Sequence, residues 1–193
     1  MGAINNHEIN RKILHILFAI VPVTLAFLDN KYCIFFIILF AVTTISLDII
    51  VKKFASLKIK QIVYRNNEIL SHKKFTGAFW IAFTCILVVL LFNKNQYIPA
   101  MLAVAFCDTF ASLVGQKYGK YKLFSSKKTF EGFAGFLLGG IPVFMVSSLV
   151  GVRLDIFAFI MALFISALFE LIDKIDDNFS VMMMFAIVLC LLK

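Results

Sequence analysis

Charged residues are scarce in this chain: Asp, Glu, Lys and Arg make up 16% of its 193 residues, and only 11 positions are acidic. Soluble domains carry about a quarter charged residues, so a water-facing surface is hard to assemble from this composition. The four cysteines, Cys33, Cys85, Cys107 and Cys190, lie in apolar runs with no CxxC pair. Neither a zinc site nor a disulfide framework is indicated. Histidine occurs only at His7, His15 and His72, with His7 and His72 read as surface residues. No repeat, low-complexity tract or linker divides the chain, so residues 1–193 read as a single domain. The first apolar run lacks a small-residue cleavage site and holds His15 near its start, so no cleavable signal is expected.

Apolar surface is what the chain has in excess. Hydrophobic residues reach 62%, with 23 Phe and a mean hydropathy of +0.95. One water-soluble core cannot hide this much, which predicts an all-α, polytopic transmembrane helical bundle. Apolar runs cover 13–28, 33–51, 75–92, 98–115, 130–150, 155–172 and 179–192, about seven membrane segments. The first six cross, or nearly cross, a hydrocarbon core of about 30 Å at about 1.5 Å per residue. The seventh has 14 residues before Lys193, which leaves a full span and a half-inserted helix both open. Short connections at 29–32, 93–97 and 151–154 imply antiparallel neighbours.

The loops alternate in charge. The N-terminal arm, loop 52–74, loop 116–129 and loop 173–178 hold 15 of the 19 basic residues; Lys31, Lys94, Arg153 and Lys193 make up the rest. The positive-inside rule then puts the N-terminus and the long loops in the cytoplasm. A basic face on a soluble fold is not on offer, so nucleic acid is not an expected partner. On this topology Glu8, His15, Asp48, Glu68, Asp108, Glu131, Glu170, Asp173, Asp176 and Asp177 fall at the cytoplasmic side, with Asp29 and Asp155 opposite. Carboxylates do not obey the positive-inside rule, so their bias needs another cause. A phosphate-containing ligand bridged by Mg²⁺ would supply it, since Mg²⁺ is typically held by one or two carboxylates plus substrate phosphates.

The stretch Asp108–Gly132, DTFASLVGQKYGKYKLFSSKKTFEG, organises the rest. A carboxylate in a membrane-type segment marks a functional site by default. Asp108, Ser112 and Gly115 share one helix face, and Gly115, Gly119, Lys120, Lys127 and Lys128 offer close backbone approach and point charges to a phosphate. Thr129 is placed to cap the next helix, whose N-terminus would face the same lysines. A P-loop does not fit: three residues separate Gly115 from Gly119, and Tyr121 stands where Ser or Thr belongs. A solvated basic loop is the plainer reading of the same lysines. Asp48 is read as the structural partner of Lys52 at i+4, and loop 52–74 as lying on an anionic bilayer surface. Glu8, Arg11, Lys12 and His15 share one face of an amphipathic first helix. Glu170, Asp173, Asp176, Asp177 and Asn178 form an acidic end whose spacing fails as an EF-hand but suits an Mg²⁺–nucleotide site.

Together these segments resemble the lipid-alcohol kinases that include dolichol kinase, phytol kinase and the CTP-dependent diacylglycerol kinase. The resemblance rests on Glu8, Arg11, Lys12 and His15; on Thr76-Gly77-Ala78; on DTFASLVGQKYGK followed by KKTFEG; and on Glu170 with Asp176-Asp177-Asn178. It covers nearly the whole chain in order. Thr129 stands where serine is commoner and Met182 where a proline often follows, and neither change removes a charged group.

The resemblance implies an integral, multi-pass membrane enzyme of a bacterial inner membrane or the endoplasmic reticulum, its active site facing the cytoplasm. CTP would be the phosphoryl donor and a lipid alcohol the acceptor. From the residues, Mg²⁺ is assigned to Asp108 with Glu170, Asp176 or Asp177, and phosphate contacts to Lys120, Lys127 and Lys128. Ser112, Gly115, Gly119, Thr129, Glu131, Gly132 and Asn178 complete the nucleotide assignment, and Asp108 and Glu170 are the catalytic pair, with Asp108 either a metal ligand or the group that orients the lipid hydroxyl, since one carboxylate does not serve both roles. Two other readings stay open: a CDP-diacylglycerol synthase, whose C-terminal His, paired Gly and Asp-Arg-x-Asp pattern is missing here, and a transporter using Asp108 as its ion site. Membrane lipids are expected partners.

Overall fold

A computed structural model describes residues 6–56, 59–60, 76–123, 128–172 and 176–192, with side chains from Ile9 onward. Helix α1 runs from Asn6 to Phe18 and α2 from Ile20 to Phe27. Pro22 has no N–H to offer the Phe18 carbonyl, and the helix is interrupted one residue later at Ala19. Then follow α3 (Asn30–Phe54), α4 (Gly77–Leu91), α5 (Lys94–Tyr118), α6 (Phe130–Leu149), α7 (Ile156–Glu170) and α8 (Asp177–Leu191). The described residues form an all-helical bundle of about seven segments, as the apolar runs predict.

Polar side chains start most of these helices. Thr76 Oγ1 accepts from Phe79 N, Asn93 and Gln96 form a capping box, Thr129 Oγ1 accepts from Gly132 N, Asp155 Oδ1 from Ala158 N, and Asp176 Oδ1 from Asn178 N. The Asp155 carboxylate on the opposite side is thereby accounted for. At the end of α6, Gly151 adopts φ 82° while its N–H and that of Val152 return to the Ser148 and Ser147 carbonyls. Only a residue without Cβ takes that left-handed turn cheaply.

Four segments are long and apolar enough to cross a membrane: Ile9–Phe27, Asn30–Phe54, Lys94–Tyr118 and Phe130–Leu149. Helices α4, α7 and α8 have 15 residues each, about 22 Å of rise; α4 and α7 are shorter than the apolar runs 75–92 and 155–172 that contain them, and α8 begins two residues ahead of the run 179–192. Their ends are trimmed by caps and by the charged termini that form the site. Helix α8 starts at Asp177, matches α4 and α7 in length, and packs against α7, α5 and α4.

Helix α5 is the axis, in contact with α1, α2, α4, α6 and α8. Its closest neighbour is α6, whose Gly132, Gly135 and Gly139 lie along one face. A methyl at Gly139 would stand 2.6 Å from Cys107 Cα, and one at Gly135 2.8 Å from the Phe110 carbonyl. Small residues let the two backbones approach, as in other membrane helix pairs.

Helix α1 is built inside out. Arg11, Lys12, His15 and Phe18 are buried against the bundle, whereas Ile13, Leu14, Ile16 and Leu17 are exposed. In water that arrangement would be inverted; in lipid it is the stable one. Helix α3 likewise exposes Phe35, Val42, Leu47 and Ile50 while burying Cys33, Ile37 and Ala41. The chain is a membrane protein. At one end of the bundle the Lys94 ammonium caps α2 by donating to the Ala26 and Leu28 carbonyls. The charged termini of α5, α6, α7 and α8 gather at the other end.

Candidate active site

Asp108 sits about three turns inside the C-terminus of α5 and is 4% exposed. Its neutralisation comes from the first helix. Lys12 Nζ donates to Asp108 Oδ2 at 2.6 Å and to the Asp108 carbonyl at 3.1 Å, and His15 Nδ1 lies 3.3 Å from the same Oδ2. Residues at i and i+3 on α1 thus converge on one carboxylate. Arg11 is buried on the same helix.

Glu170 closes α7. A carboxylate there faces the negative end of the helix dipole and needs a cation. Lys128 supplies it: Nζ lies 2.7 Å from Glu170 Oε1 and 3.0 Å from Asp177 Oδ2. Asp177 opens α8, where the dipole favours an anion. Burial alone would push the Lys128 ammonium down, but Glu170 and Asp177 outweigh it and hold its pKa well above the ordinary lysine value. Carboxylate oxygens of Asp108, Glu170 and Asp177 all lie within 4.8 Å of one another. Three helices, α5, α7 and α8, therefore deliver one buried cluster of hard oxygen donors.

The segment carrying Lys128 is braced. Lys122 and Thr129 form an antiparallel bridge, Leu123 N donates to the Lys128 carbonyl at 2.9 Å, and Phe130 N to the Tyr121 carbonyl at 2.8 Å. Glu131 Oε2 accepts from Tyr121 N at 3.3 Å. These bonds hold Lys128, Thr129 and Phe130 against Tyr121–Leu123.

Of the residues singled out from sequence, Arg11, Lys12, His15, Asp108, Lys128, Glu170 and Asp177 are brought to this end of the bundle as buried or paired groups. Asp176 is placed differently from Asp177. Its carboxylate caps α8, with Oδ1 accepting from Asn178 N at 3.1 Å and Asn178 Nδ2 at 2.9 Å, and the third oxygen donor of the cluster is Glu170. An Asp immediately before a helix is drawn to its unpaired N–H groups, and Asp177 one position later is the residue that reaches inward. Asn178 also donates to the Gly77 carbonyl at 3.5 Å, tying α8 to the start of α4. Ser112 accepts from Gln116 Nε2 at 3.2 Å. Gly115, Gly119 and Gly132 surround Thr129: a methyl at Gly115 would lie 3.2 Å from Thr129 Oγ1 and one at Gly132 3.2 Å from the Ala111 carbonyl. Their lack of Cβ lets α6 begin against α5. Lys120 is exposed just past the end of α5. Asp48 pairs with Lys52 at 3.3 Å, as the spacing predicts. Lys127, Asp173, Glu68 and most of loop 52–74 lie outside the described residues, as does the Glu8 side chain.

The direct engagement of Asp108 by Lys12 and His15 is not read from the sequence, although a signal for it exists. A basic stripe on a segment whose other faces are Ile and Leu must meet a buried acid, and Asp108 is the acid deepest in an apolar run. Compared with protein-family models, with curated proteins and with solved structures, the chain matches none.

Proposed function

We propose that the chain is a lipid-alcohol kinase that transfers the γ-phosphate of CTP to the hydroxyl of a membrane lipid, at the cytoplasmic face of a multi-pass membrane domain. The observation that carries the reading is the convergence of Asp108, Glu170 and Asp177 within 4.8 Å, interleaved with Lys12 and Lys128. Clustered carboxylates and ammonium groups beside apolar helices are what a phosphorylated nucleotide and a greasy alcohol both require. The donor set fits Mg²⁺: all three groups are carboxylates, and the Lys128 ammonium already bridges Glu170 and Asp177 as a stand-in cation. CTP as donor rests on the family resemblance alone.

Glu170 and Asp177 would hold the ion, with Asp108 within reach of it. Bound Mg²⁺ would neutralise charge on the phosphates during transfer. Lys120, Lys127 and Lys128 would neutralise the remaining phosphate charge, and the N-terminus of α6 favours anions at the same place. We assign Asp108 to orient the lipid hydroxyl and take its proton, with His15 at 3.3 Å as the next acceptor. The hydroxyl oxygen forms the new P–O bond while the bond to the β-phosphate oxygen breaks, releasing CDP. Phosphoryl transfer asks chiefly for positioning and charge, and the gathered carboxylates and ammonium groups support that reading.

The test is to incubate purified protein with γ-labelled and, separately, α-labelled CTP, against polyprenol, phytol, diacylglycerol and phosphatidic acid. A kinase moves only the γ-label into lipid. Transfer of the α-label to phosphatidic acid with release of pyrophosphate would establish a CDP-diacylglycerol synthase instead. No label transfer and no nucleotide binding would favour a transporter.

A further inference from the structure

Two lysines neutralise the cluster, and they are held differently. Lys12 has a side chain 2% exposed and donates to both the carboxylate and the backbone carbonyl of Asp108. Its position is fixed from two directions. Lys128 is 23% exposed at the side chain, and its ammonium grips the carboxylates of Glu170 and Asp177. Its backbone is braced by the Leu123 N–H and the Lys122–Thr129 bridge, so the side chain alone is left to swing on its four-carbon stem. The next residue, Thr129, caps α6, whose N-terminal dipole attracts anions to the same spot.

We infer that Lys128 is a resident counter-ion that a divalent cation displaces onto phosphate, so the site takes metal and polyphosphate together rather than metal first. The inference rests on the kinase reading above for the identity of its ligands. An ammonium bridging two carboxylates stands where a dication would be held, and both cannot occupy those oxygens. Metal entering alone would leave three positive charges, its own two and that of Lys128, against the two of Glu170 and Asp177. Uncompensated charge in a buried setting is strongly opposed. A polyphosphate removes the excess by receiving the freed ammonium. Metal and nucleotide therefore raise one another's affinity, as linkage requires.

Mn²⁺ binding to the purified full chain in detergent, followed by electron paramagnetic resonance, tests this with and without a non-hydrolysable CTP analogue. Lys128→Met is expected to bind Mn²⁺ in the absence of nucleotide about tenfold or more tightly than the wild type, because a competing charge is gone. In the wild type, the analogue should produce the tightening that the variant no longer needs. In EDTA the variant should melt below the wild type, and Mg²⁺ should raise its Tm more. Equal Mn²⁺ affinity and equal Mg²⁺ shifts would overturn the inference. So would failure of both Lys128→Met and Lys128→Gln to fold even with Mg²⁺ present, since the cation could not then replace the ammonium. Tighter Mn²⁺ binding by Lys128→Met in a protein that binds no CTP analogue would keep the exchange and sink the kinase reading. Turnover of CTP with no change in Mn²⁺ affinity would do the opposite.

Discussion

Lys12 Nζ lies 2.6 Å from Asp108 Oδ2, closing a contact between residues 96 positions apart, with both side chains almost wholly withdrawn from solvent. The pair turns α1 from a peripheral segment into a wall of the site. It also explains why α1 presents Ile13, Leu14 and Leu17 outward. The polar face is committed to Asp108, and lipid takes the rest.

Removing one member of such a pair leaves the other charged and buried. Asp108→Asn should abolish activity and cost about 3–5 kcal/mol of stability. Adding Lys12→Met to it should recover much of that stability without recovering activity, because both charges are then gone. The check is a double-mutant cycle of thermal stability in detergent alongside turnover. A double variant no more stable than Asp108→Asn would dissolve the pairing; normal turnover by Asp108→Asn would remove Asp108 from the site.

Lys128 carries the pH prediction. Its pKa in the folded protein lies above the unfolded value. The stabilisation it provides is therefore complete below the ordinary lysine value of about 10.4 and fades only as pH rises through the higher folded value. Lys128→Met should cost roughly 3 kcal/mol, the lower end for a broken buried pair, because the side chain is 23% exposed. That difference should stay constant between about pH 7 and 10 in melts without metal. A difference that decays between pH 7 and 9 would mean that the ammonium is not held by Glu170 and Asp177. In activity assays Lys128→Ala should raise KM for the nucleotide more than it lowers kcat.

The fold was legible because the apolar runs are long and separated by charged or capping residues. Thr129 announces α6 by its side chain, and Asp48–Lys52 follows from helical spacing. Helix lengths were less legible. Glu170 ends α7 inside the apolar run 155–172, whereas Asp177 opens α8 two residues before the run 179–192 begins. Asp108 stood out as a carboxylate inside an apolar segment, but its partner lies 96 residues away in sequence, and no local pattern encodes that distance. The Asp176–Asp177 choice turns on which of two adjacent carboxylates faces the bundle. Adjacent residues on a helix point about 100° apart, so the answer required knowing where α8 begins.

Charge distribution yields a topology test. Arg153 and Tyr121 are both exposed and lie at opposite ends of the bundle. With the native cysteines replaced, Arg153→Cys should react with an impermeant maleimide added to intact cells, and Tyr121→Cys only after permeabilisation. The reverse labelling would put Asp108, Glu170 and Asp177 on the side without nucleotide and defeat the kinase reading.

Asp176 and Asp177 differ by one position and should differ in kind. Asp176 accepts from the Asn178 backbone and side chain, so Asp176→Asn keeps an oxygen at the cap and should be nearly silent. Asp176→Ala should cost about 1 kcal/mol through loss of the cap, with Mg²⁺ dependence unchanged. Asp177 accepts from Lys128 at 3.0 Å and shares the carboxylate cluster. Asp177→Asn removes its charge at little cost in volume, so activity should fall by at least about 100-fold and the Mg²⁺ requirement should rise. Titrating activity against Mg²⁺ for the three variants decides between the residues. A rise in the Mg²⁺ requirement for Asp176→Asn, with none for Asp177→Asn, would return the metal-binding role to Asp176 and place the helix start one residue away from where the capping geometry sets it.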